Sequence, residues 1–283
     1  MVAARSLHYR APVSPATPSA LSTTLLYAPD GSPRGALGLT TLPLPAALRD
    51  ARLHWALAHF AEVPTADDGR RLTLPASLAA AAPRRLHTFA AGRVVAAAAL
   101  SALGHPAVEP SVIGREPSGA PRWPAGVVGS IAHTDTLAVA VVADAHDVAL
   151  LGADVEAPLG EATAREVHHS IAPECPTEDA LADRVHTTMP FPLALTLVFT
   201  AKEALYKALA PRVGQFFGFE AAECVGIDAL PGVVALQLTT DLPGGFVAGD
   251  RFAVRVATLG TDGMIVAWLA DDRPSSSLRH PGH

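Results

Sequence analysis

This chain has little sulfur and little charge. Of 283 residues only two are cysteine, Cys175 and Cys224, far apart and with no C-x-x-C spacing. That excludes a disulfide framework and a cysteine zinc site, and fits reduced thiols in a cytoplasmic protein. Charged residues make up 17% and the formal net charge is −6. Such a chain carries no electrostatic footprint for DNA, RNA or an anionic membrane surface, so any anionic ligand must be held by a local cluster of bases. Long apolar runs are missing too. Val94 to Leu100 with its neighbours falls short of the ~20 residues that span a bilayer. The N-terminus, M-V-A-A-R-S-L-H-Y-R-A-P-V, lacks the apolar core of a signal peptide, and none is expected.

What is present is ample material for a core. Hydrophobic residues reach 49%, and the length suits one large domain or two compact halves. Residues 1–35 are rich in Pro, Ser, Thr and Ala without period and read as a loosely ordered segment; 273–283 read as a flexible tail. Between them the pattern is mixed α and β. Residues 83–104 form a helix, with Pro83 suited to the first turn and Gly104 to the stop. A Pro/Gly-rich loop follows to Gly126. Strands are predicted at V-V-G-S-I-A-H, L-A-V-A-V-V-A and V-A-L-L-G-A-D-V-E, then helical pieces over 161–188 and a helix over about 193–210. A meander of short strands runs from Val233 to Ala270, broken at D-L-P-G-G and T-D-G. The expected architecture is α+β in two halves, 36–148 and 149–272.

Three segments carry candidate chemistry. On a strand, Asp154 and Glu156 point to one face, while Ala153 and Val155 point into a core. Like charges so placed repel unless a cation lies between them, and carboxylates are hard ligands suited to Mg²⁺ or Mn²⁺. The plainer alternative is a solvated pair where the strand runs out before Pro158. On a helix, Glu203 and Lys207 are i, i+4 neighbours, with Lys202 about 100° round from Glu203. Here the plainer alternative is a capping box begun by Thr200 and a surface ion pair. If the two stretches converge, three carboxylates and two lysines suit phosphoryl transfer, where catalysis is mainly positioning and charge neutralisation. The third segment, G-V-V-G-S-I-A-H-T at 126–134, has Gly129 and Ser130 for close backbone approach and ends in His133, either a structural histidine or a phosphate contact. Arg85 and Arg93, eight apart on the first helix, can reach one broad face, as phosphate forks or as surface arginines.

Taken in order, these segments resemble the Sfp-type 4′-phosphopantetheinyl transferases, in particular the branch associated with siderophore and other natural-product synthetases. The similarity covers roughly residues 80–210. It runs through Arg85, Phe89 and Ala91-Gly92-Arg93; Arg115-Glu116-Pro117 with Trp123-Pro124; G-V-V-G-S-I-A-H at 126–133; G-A-D-V-E at 152–156; and F-T-A-K-E-A-L-Y-K at 199–207. The resemblance implies two similar α/β halves related by a pseudo-twofold axis in a monomer, with coenzyme A between them. It implies Mg²⁺-dependent transfer of the phosphopantetheine arm to a serine of an apo acyl or peptidyl carrier protein, with release of 3′,5′-ADP. By the same resemblance, Asp154, Glu156 and Glu203 bind the metal and Glu203 accepts the serine proton. Lys207 and Lys202 steady the developing charge, His133 contacts the 3′-phosphate, and Arg85, Arg93, Arg115 and Ser130 complete the coenzyme site. The chain departs from the pattern at Ser118, where relatives carry lysine and Arg122 or Arg115 could substitute, and at Thr88, where they carry glutamate. Two other readings stand beside this one: an inactive coenzyme A or carrier-binding homologue, and a Mg²⁺-dependent phosphodiesterase or nuclease, against which the net charge argues.

Overall fold

The structure, a computed structural model, describes residues 21–63, 69–78, 80–105, 109–110, 113–185, 189–228 and 232–272. Its strands form two sheets. The first, ordered β4-β1-β2-β3-β6-β5, comprises β1 (Leu21–Tyr27), β2 (Pro33–Thr41), β3 (His54–Glu62), β4 (Arg70–Thr73), β5 (Val127–His133) and β6 (Leu137–Asp144). The second, ordered β7-β11-β10-β9-β8, comprises β7 (Leu150–Glu156), β8 (Ala222–Asp228), β9 (Val233–Leu238), β10 (Arg251–Leu259) and β11 (Met264–Asp271). Helix α1 (Pro83–Ala102) covers the first sheet. Helices α2 (Glu161–Ile171), α3 (Glu178–Val185) and α4 (Phe191–Val213) cover the second.

The layering follows from alternation on the strands. In β6, Ala138, Ala140 and Val142 face α1, whereas Leu137, Val139 and Val141 face the other half. The alanines leave room for α1, itself rich in buried alanine, to lie close on the sheet. The core between the sheets gathers Leu57, Val139 and Val141 from one half and Val155 and Val266 from the other. Trp55 meets Trp268 edge-on across it, with ring centroids 5.8 Å apart. The α+β class and the two-halved arrangement agree with the sequence reading, as do β5, β6, β7 and α1. None of the helices among the described residues is long and apolar enough to cross a membrane.

Two differences have physical causes. Residues 1–35 were expected to be loosely ordered, yet β1 lies within them. Its sequence L-S-T-T-L-L-Y does not alternate, and burial comes from partners on both sides, β2 antiparallel and β4 parallel. Residues 1–20 and the expected tail at 273–283 lie outside the described residues. The capping-box reading of Thr200 also falls. Thr200 sits fully buried inside α4, and its hydroxyl donates back to the carbonyl of Thr196 at 2.7 Å.

Candidate active site

The two sheets meet along β5 and β7, each the edge strand of its sheet. Ser130 stitches this seam: its hydroxyl is buried and donates to the carbonyl of Ala153 at 3.2 Å. Ser130 therefore helps hold the halves together, its buried hydroxyl directed at β7. On β7, Ala153 and Val155 are sunk in the inter-sheet core, which turns Asp154 and Glu156 toward α4. Gly152 sets how near α4 comes. A Cβ there would lie 2.1 Å from the carbonyl oxygen of Ala204 and 2.4 Å from the amide of Ala208. Only glycine permits that approach, which brings Glu203 and Lys207 beside the two acids of β7.

Lys207 does not pair with Glu203 one turn away. Its Nζ lies 2.6 Å from Oδ1 of Asp154. Oδ2 of Asp154 is buried with no hydrogen-bond partner. Burial pushes the Glu156 carboxyl up to about 7; the charge of Asp154 adds to this, Lys207 opposes it, and Glu203 adds a smaller push. Glu203 is raised by burial first and then by Asp154, again against Lys207. His133 stands at the surface end of β5. Although the residue as a whole is exposed, the protein packed around its ring holds its pKa below the ordinary value; Lys207 pushes the same way and Asp154 opposes. Asp154, Glu156, Glu203, Lys207 and His133 thus share one electrostatic neighbourhood with more carboxylate than ammonium.

The donor chemistry fits a hard divalent cation: oxygen ligands, an unpartnered buried Oδ2, and excess negative charge. The arrangement is centred on the Lys207 ammonium, and among the described residues no three acids, histidines or cysteines form a ready metal cluster.

The arginines of α1 part company. Arg84 anchors the first turn of the helix to Asp135 in the β5–β6 turn, its Nε donating at 2.7 Å, and leaves Arg85 exposed beside it. Arg93 is buried. It lies over the Phe89 ring at 4.6 Å, donates from Nη2 to the carbonyl of Gly114 at 3.2 Å, and has an unpartnered Nε. Burial, helped by the charge of Arg115, lowers it to about 10, so it remains a cation. Arg122 is occupied by Glu116 at 2.7 Å. Arg115, which donates to the carbonyl of Gly119 at 3.0 Å, is the cation that reaches toward Arg93. Trp123 seals this region: its indole donates to the carbonyl of Gly129 at 3.0 Å, and a Cβ at Gly129 would lie 2.8 Å from the Trp123 ring.

Lys202, expected beside the phosphates, points elsewhere. Its ammonium is surrounded by the carbonyls of Ile171 and Phe219 and the carboxylate of Glu174. The cause is the helical period: about 100° from Glu203, it faces α2 and β8 rather than β7. Sequence reasoning missed a cavity of about 230 Å³ next to Glu203, lined also by Tyr206, Phe216, Phe217 and Phe219. A signal was available. In a chain with nine phenylalanines, Q-F-F-G-F-E at 215–220 concentrates three of them.

Two family descriptions match this chain: the 4′-phosphopantetheinyl transferase N-terminal domain over residues 74–143, and the 4′-phosphopantetheinyl transferase superfamily over residues 150–248. The chain is 36% identical over 231 residues to the 4′-phosphopantetheinyl transferase Svp of Streptomyces mobaraensis, covering 79% of this chain and 88% of that protein. It is 36% identical over 152 residues to enterobactin synthase component D of Salmonella typhi, covering 54% and 59% respectively. To the 4′-phosphopantetheinyl transferase Npt of Nocardia iowensis it is 36% identical over 147 residues, covering 51% and 61%.

Proposed function

The chain belongs to the 4′-phosphopantetheinyl transferase superfamily, and from that premise we propose that it moves the phosphopantetheine arm of coenzyme A onto a serine hydroxyl of an apo acyl or peptidyl carrier protein, Mg²⁺-dependently, releasing 3′,5′-ADP. The serine oxygen bonds to the β-phosphorus while the bond from that phosphorus to the bridging oxygen breaks. The observation that carries this reading is the meeting of Asp154, Glu156, Glu203 and Lys207 at one seam, from a strand and a helix 53 residues apart along the chain at the Lys207–Asp154 bond.

Each group has a task suited to its surroundings. A serine hydroxyl is a poor nucleophile near neutral pH, and Glu203 takes its proton as the new bond forms. Lys207, held against Asp154, would supply positive charge to the departing 5′-phosphate of 3′,5′-ADP. Asp154, Glu156 and Glu203 would hold Mg²⁺, which when bound supplies charge neutralisation at the pyrophosphate. His133, at the end of β5, would hydrogen-bond the 3′-phosphate through its imidazole. Arg85 and Arg115 supply surface cations for the nucleotide, and Arg93 a buried one.

The test is to incubate the protein with coenzyme A, Mg²⁺ and several apo carriers and weigh the carriers by mass spectrometry. A carrier should gain the arm with the unaltered protein and not with Glu203→Gln. No gain on any carrier while coenzyme A binds tightly would make the chain a binding homologue. Cleavage of added DNA under the same conditions would make it a nuclease.

A further inference from the structure

The segment G-R-E-P-S-G-A-P-R, 114–122, lies between α1 and β5 and folds as a small hairpin in which Arg115 bridges Pro121. Pro117 stands second in the turn E-P-S-G, where its fixed φ is favoured. The Gly119 amide closes that turn on the carbonyl of Glu116 at 2.8 Å, and the Glu116 amide donates to the carbonyl of Ala120 at 2.8 Å. Across the hairpin, Nε of Arg122 donates to the Glu116 carboxylate at 2.7 Å. The carbonyl of Gly114 accepts the Arg122 amide at 3.0 Å and also Nη2 of Arg93 at 3.2 Å, which fastens the hairpin to the buried arginine of α1.

Gly119 has a φ of +94°, a conformation open to glycine. The space a side chain would take is filled by Arg115: a Cβ at Gly119 would lie 2.8 Å from its Nη2 and 3.4 Å from its Nε. From there Nε of Arg115 donates to the carbonyl of Gly119 at 3.0 Å. One nitrogen of the guanidinium is thus spent on orienting it, and the two terminal nitrogens have no hydrogen-bond partner among the described residues. Arg93 is 5% exposed, and its Nε is buried without a partner. Among the described residues neither arginine has a carboxylate beside it. Two cations held near each other without a counter-charge are arranged to receive an anion, and phosphate oxygens match guanidinium forks.

We propose that Gly119 is a positioning residue for coenzyme A, supported by the Glu116–Arg122 pair: the turn they close grips the Arg115 guanidinium by its Nε and presents its terminal nitrogens, with Arg93, to a phosphate of the coenzyme. This rests on the transferase reading above. The ion pair is exposed and adds little to stability; its part is to keep the hairpin closed. Arg122 therefore supports the hairpin and does not replace the lysine missing at Ser118 as a phosphate ligand.

The experiment measures coenzyme A binding by titration calorimetry without carrier, and transfer kinetics with Mg²⁺ and an apo peptidyl carrier domain. It compares the unaltered protein, Gly119→Ala, Glu116→Gln, Arg115→Met, and each of the first two combined with Arg115→Met. What an alanine Cβ would strike is the end of a flexible side chain, so the guanidinium is what moves. Gly119→Ala should weaken coenzyme A binding about tenfold, and Glu116→Gln, which keeps the shape of the turn, about threefold. KM for the carrier should change less than about twofold. In the Arg115→Met background neither substitution should weaken binding further, because both act through Arg115. Should Gly119→Ala not fold, Glu116→Gln carries the same test. Unchanged affinity in either single variant, or a further loss without Arg115, overturns the proposal and leaves the transferase reading standing. If the unaltered protein binds coenzyme A but loads no carrier, the transferase reading falls and the binding comparison still decides the positioning role. If it does not bind coenzyme A, both fall.

Discussion

Asp154 gives one carboxylate oxygen to Lys207, at 2.6 Å, and keeps the other buried without a partner. An unpartnered buried carboxylate oxygen is costly, and here it sits among two further acids whose protons are held more tightly than usual. The site is therefore arranged to receive positive charge. Asp154→Asn removes one negative charge without changing shape. The expected result is a loss of Mg²⁺ response, read as a vanished thermal upshift on adding MgCl₂, together with a fall in turnover of about 10²-fold or more. An unchanged upshift would place the metal elsewhere.

Gly152 determines whether α4 can reach β7. Gly152→Val would drive a side chain into the Ala204 carbonyl and the Ala208 amide, both backbone atoms that cannot rotate away. Overpacking of this kind costs about 1–3 kcal/mol, and for a chain of this size each kcal/mol lowers Tm by about 2–4 °C. Activity should fall further than stability, since the displacement separates Glu203 and Lys207 from the acids of β7. Calorimetry beside the transfer assay tests this; equal losses in folded fraction and turnover would show that the distance is not critical.

Arg93 is a buried cation with a single carbonyl acceptor and an unpartnered Nε. A phosphate oxygen would supply what it lacks. Arg93→Met, similar in length and apolar, should raise KM for coenzyme A by about tenfold or more with kcat nearly unchanged, and should reduce stabilisation by saturating coenzyme A by about 1.4 kcal/mol or more. A fall in kcat at constant KM would move Arg93 out of the binding site.

His168, buried on α2 with an unpartnered Nε2, stacks on His169 at 5.5 Å and meets Phe191 edge-on at 5.1 Å. Burial lowers its pKa, and the charge of His169 pushes the same way. Its folded pKa lies below the unfolded one, near 6.5, so the unfolded chain binds this proton first as pH falls. Stability is whole above about 6.5 and is lost below it, by at most about 1.4 kcal/mol per pH unit for one proton. In His168→Phe that contribution disappears. Urea unfolding at pH 7 and pH 5.5 should show a smaller acid loss in the variant than in the unaltered protein, and equal losses would refute the assignment.

Much of the site was legible because it depends on local periods. Alternation on β7 alone sends Asp154 and Glu156 to one face and Ala153 and Val155 to the other, and the core between the sheets bears this out. The pairing of Lys207 was not legible. Along the helix its neighbour is Glu203, and nothing local favours a residue 53 positions away. The aromatic wall was readable in Q-F-F-G-F-E, yet its place beside Glu203 was not. The first sheet was largely hidden, because β1 owes its burial to β2 and β4 and not to a pattern of its own.

Lys202 and Lys207 are the only lysines in the chain, five residues apart on one helix. The sequence by itself determined that they exist, that they flank Glu203, and that they point in different directions, because residue type and helical period are local properties. Only the tertiary structure decided that Lys207 meets the acids of β7 while Lys202 is enclosed by Glu174 and backbone carbonyls. The physical reason is that what lies on each side of a helix is set by packing between distant segments, here by the contact that Gly152 allows.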